Sequence, residues 1–261
     1  MSRKSPVENS SPNPWRWFHR FGSPEYVYGF SEKWAPRLAI LMAILFLTGL
    51  YLGLVVAPPD YQMGDNYRII FIHVPSAWMS MSAYFVMALA ALCGLVWHMK
   101  VGDAVARACA PVGAMFTICA LVSGSLWGKP TWGTYWVWDA RLTSFLVLLF
   151  LYLGYIALVH AFEDRKSGTR AAAVLAIVGV INLPIIHYSV EWWNTLHQGS
   201  TVTKLGRPSI DIRMLIPLLI MFVAYNLYFV TVIMIRLRTE ILTTEYRTRW
   251  VANRFGQEAE T

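Results

Sequence analysis

Trp127, Trp132, Trp136 and Trp138 fall within fifteen residues of this chain, together with Tyr135, Lys129 and Arg141. Long uncharged runs flank the stretch on both sides, which puts it at a membrane surface. Tryptophan and tyrosine form anchoring belts at bilayer interfaces, but a belt accounts for one or two indoles per helix end. Four in one short stretch suit a large flat ligand, whose faces indoles stack on while excluding water. Gly128 and Gly133, between the indoles, let the backbone approach such a ligand closely.

Two histidines lie at the same level. His73 sits in Ile72-His73-Val74-Pro75, where the chain enters a second apolar run, and His197 sits in a later segment beginning Trp192-Trp193. Two imidazoles on one membrane face, with indoles between them, form a candidate pair of axial ligands for haem iron. Trp192 and Trp193 extend the indole set. Haem carries two carboxylates, for which arginine is the natural forked partner. Arg141, Lys129 and Arg68 are the cations at that level, and the sequence does not choose between them. Asp139 precedes Leu142-Thr143-Ser144 and reads as a helix N-cap; an indole N–H or Arg141 is its other possible partner. His187 lies inside an apolar run and reads first as a neutral imidazole bonded to Asn182 or to a carbonyl released by Pro184. Glu191 is placed to orient a histidine. His98 and His160 fall at opposite-side helix ends, where a cation suits the helix dipole, and His19 lies in a basic, aromatic N-terminal arm.

The elements that position these residues are apolar helices. Six runs, 38–59, 69–99, 108–128, 142–162, 171–190 and 214–235, contain no Asp, Glu, Lys or Arg. Each reaches the roughly 20 residues a helix needs to cross a bilayer. The expected fold is therefore all-α: a polytopic membrane protein of six transmembrane helices with tryptophan-rich outer loops. With the N-terminus inside, sixteen of the 22 Lys and Arg residues fall on the inner side and six outside. This bias places both termini in the cytoplasm. The division expected is an arm over 1–37, a six-helix domain over 38–236 and a tail over 237–261, with outer loops near 60–68, 127–141 and 191–213. The net charge of +7 then reflects contact with anionic lipid rather than with nucleic acid. The first run is too long for a cleaved leader. Cys93, Cys109 and Cys119 show no Cys-x-x-Cys spacing, so neither a disulfide framework nor covalent c-type haem is expected. Pro75 fits the first turn of its helix, and Pro184 is expected to kink the fifth span.

The stretch from Trp127 through Asp139 to Ser144 resembles the WWD signature of haem-handling proteins in cytochrome c biogenesis. Tyr67 to Pro75 and Asn182 to Ser200 narrow the resemblance to the haem exporter protein C (CcmC) family of bacterial system I. It runs from about the first span to the sixth. What it implies is a carrier in the inner membrane, not an enzyme. That carrier holds haem b at its periplasmic face between His73 and His197, with the tryptophan stretch as platform. It presents the haem to the periplasmic haem chaperone CcmE. An ATP-binding-cassette pair, CcmA and CcmB, then releases the loaded chaperone, and the small membrane protein CcmD helps hold the complex. The chain has no Walker motif of its own. Two other functions compete: a transporter moving haem through the bundle, which needs a polar path, and a b-type cytochrome, which buries haem between facing intramembrane histidines.

Overall fold

The computed structural model describes residues 20–193, 195–197 and 210–256. The arm residues Trp15, Trp17 and His19, and Asn194, Lys204 and Arg207 of the last outer segment, lie outside the described residues. Six helices are long and apolar enough to cross a membrane. They are built from α1 (Pro24–Tyr51), α2 (Ile70–Trp97), α3 (Lys100–Trp132), α4 (Ala140–His160), the pair α5 (Arg165–Gly179) and α6 (Asn182–Trp192), and α7 (Ile212–Glu245); a short α8 (Arg249–Phe255) follows. Helices α2 and α3 pack along most of their length at the centre. Helix α7 lies against both and carries α1 on its far side, while α4 and α5 close the opposite flank.

Several elements differ from the sequence expectation for physical reasons. Helix α1 begins well before residue 38, because Ser23 caps it, Pro24 sits at its first position and Glu25 lies in its first turn. Its far end loosens into a π-helical turn, Leu52–Val56, ahead of Pro58-Pro59. There the Ala57 N–H bonds Leu52 O rather than Gly53 O. The freed Gly53 carbonyl accepts from Arg68 Nη1 at 3.1 Å. Pro75 is not in the first turn. A 3₁₀ turn over Asp65–Ile69 starts the helical path early, so Pro75 lies inside α2. The fifth span is interrupted where the kink is expected: Val180 and Ile181 form a turn between α5 and α6 while keeping helical backbone angles. Pro184 explains the position, since its ring clashes with the carbonyl four residues earlier, that of Val180.

The largest difference is the tryptophan stretch. It was expected as a loop over about 127–141, but α3 continues through Trp132, carrying Trp127 and Trp132 in regular helix. Gly133, with φ +77°, ends the helix in a left-handed conformation and returns its N–H to Lys129 O. Only residues 133–139 remain as loop.

Small residues permit the close helix contacts. A Cβ on Gly113 would fall 2.1 Å from the buried Tyr152 ring, whose hydroxyl donates to Ser80 O at 2.7 Å. Gly113→Ala is therefore expected to cost about 1–3 kcal/mol, measured by detergent-titrated unfolding of the purified protein. At the pole away from the tryptophans, ionic contacts tie the helix ends together. Arg107 Nε pairs with Glu240 at 2.9 Å, Lys100 with Glu245 at 2.8 Å, and Glu32 meets Arg238 and Arg254.

Candidate functional site

His73 projects from the second turn of α2 toward α3. Its Nδ1 lies 3.0 Å from Ser123 Oγ, and that hydroxyl has its own acceptor in Cys119 O at 2.5 Å. Because the hydroxyl proton goes to Cys119, Ser123 must accept from Nδ1–H. The tautomer is thereby fixed, with the Nε2 lone pair free, as a metal-binding imidazole requires. Gly124 makes the room: a Cβ there would sit 2.9 Å from His73 Cε1. The Trp127 ring stands against the imidazole, centroids 5.6 Å apart and planes at 77°, with Tyr67 behind it at 5.7 Å.

His197 comes from the segment after α6 and is held by a relay. Asp139 is 8% exposed and divides its two oxygens. Oδ1 accepts from the Leu142 N–H at 2.7 Å, capping α4, and Oδ2 accepts from Thr195 Oγ1 at 2.6 Å. Thr195 Oγ1 in turn accepts from the His197 N–H at 3.0 Å. The cap expected of Asp139 is present, but its other partner is Thr195, not an indole or Arg141. The Trp132 ring lies 5.0 Å from the His197 ring. Burial, then the nearby Arg141 charge and His73, push the His197 imidazole down to about 4, so it is uncharged at neutral pH. Its Nδ1 is buried without a hydrogen-bond partner, as are the Nε1 atoms of Trp127 and Trp136.

His73 and His197, 124 positions apart in sequence by their numbers, line one cavity of about 30 Å³ with Trp136, Arg141, Gly124 and Phe145. Arg141 is the cation at this cavity. Its Nε donates to Ser189 Oγ at 3.2 Å, and its Nη2 donates to Ile186 O and His187 O at 3.4 and 3.3 Å. It thus clamps the middle of α6 while facing the histidines. The other two cations are engaged elsewhere. Arg68 pairs with Asp65 at 2.8 Å besides holding Gly53 O, and Lys129 donates to Gly133 O at 3.0 Å and covers the Tyr135 ring.

The indoles do not form one flat platform. Trp127 and Trp132 each support one histidine, and Trp136 lines the cavity. Trp138 is 75% exposed and touches Trp136 edge-on. Trp192, the last residue of α6, stacks on Tyr188 at 5.3 Å, and both it and Trp193 are exposed. Among the expected site residues, only His73, His197, Trp136 and Arg141 line the cavity; Trp127, Trp132, Trp138, Trp192, Trp193, Arg68, Lys129 and Asp139 do not. His187 is exposed and packs on Tyr188, while Asn182 donates to Ser144 O, so neither makes the bond expected between them. Glu191 is exposed, and no described histidine takes it as a partner. His98 and His160 stand at helix C-terminal ends as expected.

Sequence reading missed Ser123 and Thr195. Ser123-Gly124 registered only as small residues for helix contact. A threonine two positions before His197 is the pattern of a local side-chain turn, and that signal was available.

Thr195→Val tests the relay. It removes the hydroxyl that joins Asp139 to the His197 backbone and leaves the α4 cap in place. Weaker ligand binding with little loss of stability is expected. Asp139→Ala is expected to cost a further ~0.5–2 kcal/mol, because it also removes the cap. Parallel ligand titration and thermal unfolding of the two variants separate these effects.

Fold and cavity together define a polytopic membrane protein that directs two imidazoles from distant segments into one small cavity at a single end of its bundle. Residues 17–252 match the family model of heme exporter protein C. The chain is 52% identical over 238 residues to the Escherichia coli K12 protein named heme exporter protein C, covering 91% of this chain and 96% of that one. The Haemophilus influenzae protein of the same name is 48% identical over 237 residues, with the same coverages. A putative cytochrome c biosynthesis ccmC-like mitochondrial protein of Arabidopsis thaliana is 43% identical over 223 residues, 85% of this chain and 84% of that protein. The chain belongs to the heme exporter protein C family.

Proposed function

We infer that this chain binds haem b at the tryptophan-bearing end of the bundle, with His73 and His197 as axial ligands, and delivers it to the periplasmic chaperone CcmE during c-type cytochrome maturation. The observation that carries the reading is the convergence of those two imidazoles, with Arg141, on one cavity. Bound haem supplies an iron with two axial positions and two carboxylates. His73 offers Nε2 from a position fixed by Ser123 and Gly124. Arg141 faces the cavity as the carboxylate partner, and the unpartnered indole N–H of Trp136, which lines the cavity, adds a donor.

The cavity is far smaller than the ~300–1,000 Å³ typical of ligand sites. Haem therefore enters as the two histidine-bearing walls separate. The wall built for this carries His197, which is tied down by one hydroxyl relay and a ring contact rather than by helix. A fixed ligand facing a displaceable one suits a carrier that must release its cargo. Between this end and the other, the centre of the bundle is filled by Tyr84, Tyr152, Phe116, Met87 and Met221. That packing favours a site confined to one face over a path through the bundle.

The cation bias of the sequence supports an inner-membrane orientation with both termini cytoplasmic and the histidine pair periplasmic. The partners that follow are CcmE as acceptor, CcmA and CcmB for ATP-driven release, and CcmD as a stabilising subunit. The test is covalent haem on CcmE, read by haem staining of gels, in cells carrying CcmE with or without this chain. Haem-loaded CcmE only in the presence of the chain is expected. Loading that persists without it, or haem appearing across sealed vesicles containing this chain alone, contradicts the reading.

A further inference from the structure

A second cavity, about 470 Å³, lies at the opposite end of the bundle between the ends of α3, α4 and α7. Its lining is apolar along Ala110, Ile156, Val159 and Phe162 and carries five charged side chains. Three guanidiniums face it, those of Arg107, Arg165 and Arg236, against the carboxylates of Glu163 and Glu240, leaving one positive charge in surplus. The surplus has an address. Glu240, one helical turn from Arg236, pairs with Arg107 instead. Arg236 makes no hydrogen bond or ion pair among the described residues, and its Nε is buried without a partner. Pro111, also at the cavity, has no N–H to return to Arg107 O.

A half-buried guanidinium without a partner, its Nε fully buried, beside an apolar cleft at the end of membrane-spanning helices fits the headgroup of an anionic lipid. We propose that this cavity binds one anionic phospholipid of the adjacent leaflet, its phosphodiester on Arg236 and its glycerol and upper acyl chains along Val159, Ile156 and Phe162. The charge argues for this ligand: one phosphodiester carries a single negative charge, which balances the surplus, whereas a dicarboxylate porphyrin overshoots it. The size argues against a free phosphate, which needs neither the volume nor the apolar wall. The site is separate from the histidine pair, so haem binding at the far end serves as a control for folding.

The experiment is native mass spectrometry of the full chain in neutral detergent, with equimolar phosphatidylglycerol and phosphatidylcholine. One phosphatidylglycerol retained per chain in preference to phosphatidylcholine is expected. The preference should fall at least about tenfold in Arg236→Gln, the loss of one charge-assisted hydrogen bond. Val159→Trp, which fills the cleft and leaves every charge in place, should do the same. Equal retention of the two lipids, or unchanged preference in both variants, overturns the proposal. Displacement of the lipid by millimolar inorganic phosphate overturns the lipid source in favour of a soluble one. Displacement by haem that also depends on Arg236 overturns it in favour of a porphyrin site.

Discussion

Gly124→Val is expected to abolish haem binding as completely as removing a ligand, although it deletes no group that bonds iron. A single Cβ at this position lies 2.9 Å from His73 Cε1 and 3.4 Å from Nδ1. Valine adds two further carbons in the same direction. The imidazole has little room to yield, because the Trp127 ring stands against it and Ser123 holds its Nδ1. The ring must leave its rotamer, losing the Ser123 bond and with it the orientation of Nε2. Haem content of the purified variant should fall to background while the helical signal and the monodisperse elution are retained. Retained haem in Gly124→Val would mean that the His73 ring is not clamped as described. Ser123→Ala should be milder. It keeps the space and frees the tautomer, so weakened rather than absent haem is expected.

Arg141→Ala is expected to lower haem affinity by about 10–100-fold, the range for losing hydrogen bonds to a charged group. Arg141 faces the histidines and also bonds Ser189 Oγ, Ile186 O and His187 O, so alanine additionally releases the middle of α6. Arg141→Lys separates the two roles. It restores the positive charge without the planar fork, and should recover part of the affinity but little of the α4–α6 coupling. Haem titration followed by absorbance, alongside thermal unfolding, reads both. Full affinity in Arg141→Ala would place the haem carboxylates elsewhere, with Arg68 the first alternative once its Asp65 pair opens.

The six spans were legible because charge is absent from six long runs, a signal that depends only on the cost of charge in lipid. Their ends were not. Helix α1 starts at Ser23 and α7 runs on to Glu245 through segments whose charges are paired at the bundle end, as in Arg107–Glu240 and Lys100–Glu245. A scan for uncharged residues stops too early at such segments. The tryptophan stretch was misread as loop for a related reason. Lys129, Pro130 and Gly128 resemble loop punctuation, yet Pro130 sits in the last turn of α3 and Gly133 alone ends it. Histidine depth was legible from position within each run. Which cation faced the cavity was not, because Arg68, Lys129 and Arg141 have the same chemistry. What separated them was the carbonyl each found: Gly53 O at a π turn, Gly133 O at a helix end, or Ile186 O and His187 O in the middle of α6. The Asp139–Thr195–His197 relay joins segments far apart in the chain, and half of it, the cap, was readable from Asp139 preceding Leu142.

The central claim is that His73 and His197 meet haem iron at a site that opens. The most direct measurement is the absorption spectrum of the haem-loaded, detergent-purified protein beside His73→Ala and His197→Ala, before and after exogenous imidazole is added. The account predicts that each variant loses the wild-type spectrum and regains part of it with imidazole, because the cavity left by either ring is reachable from outside. A wild-type bis-histidine spectrum surviving in both variants would put the iron elsewhere in the bundle and contradict the account.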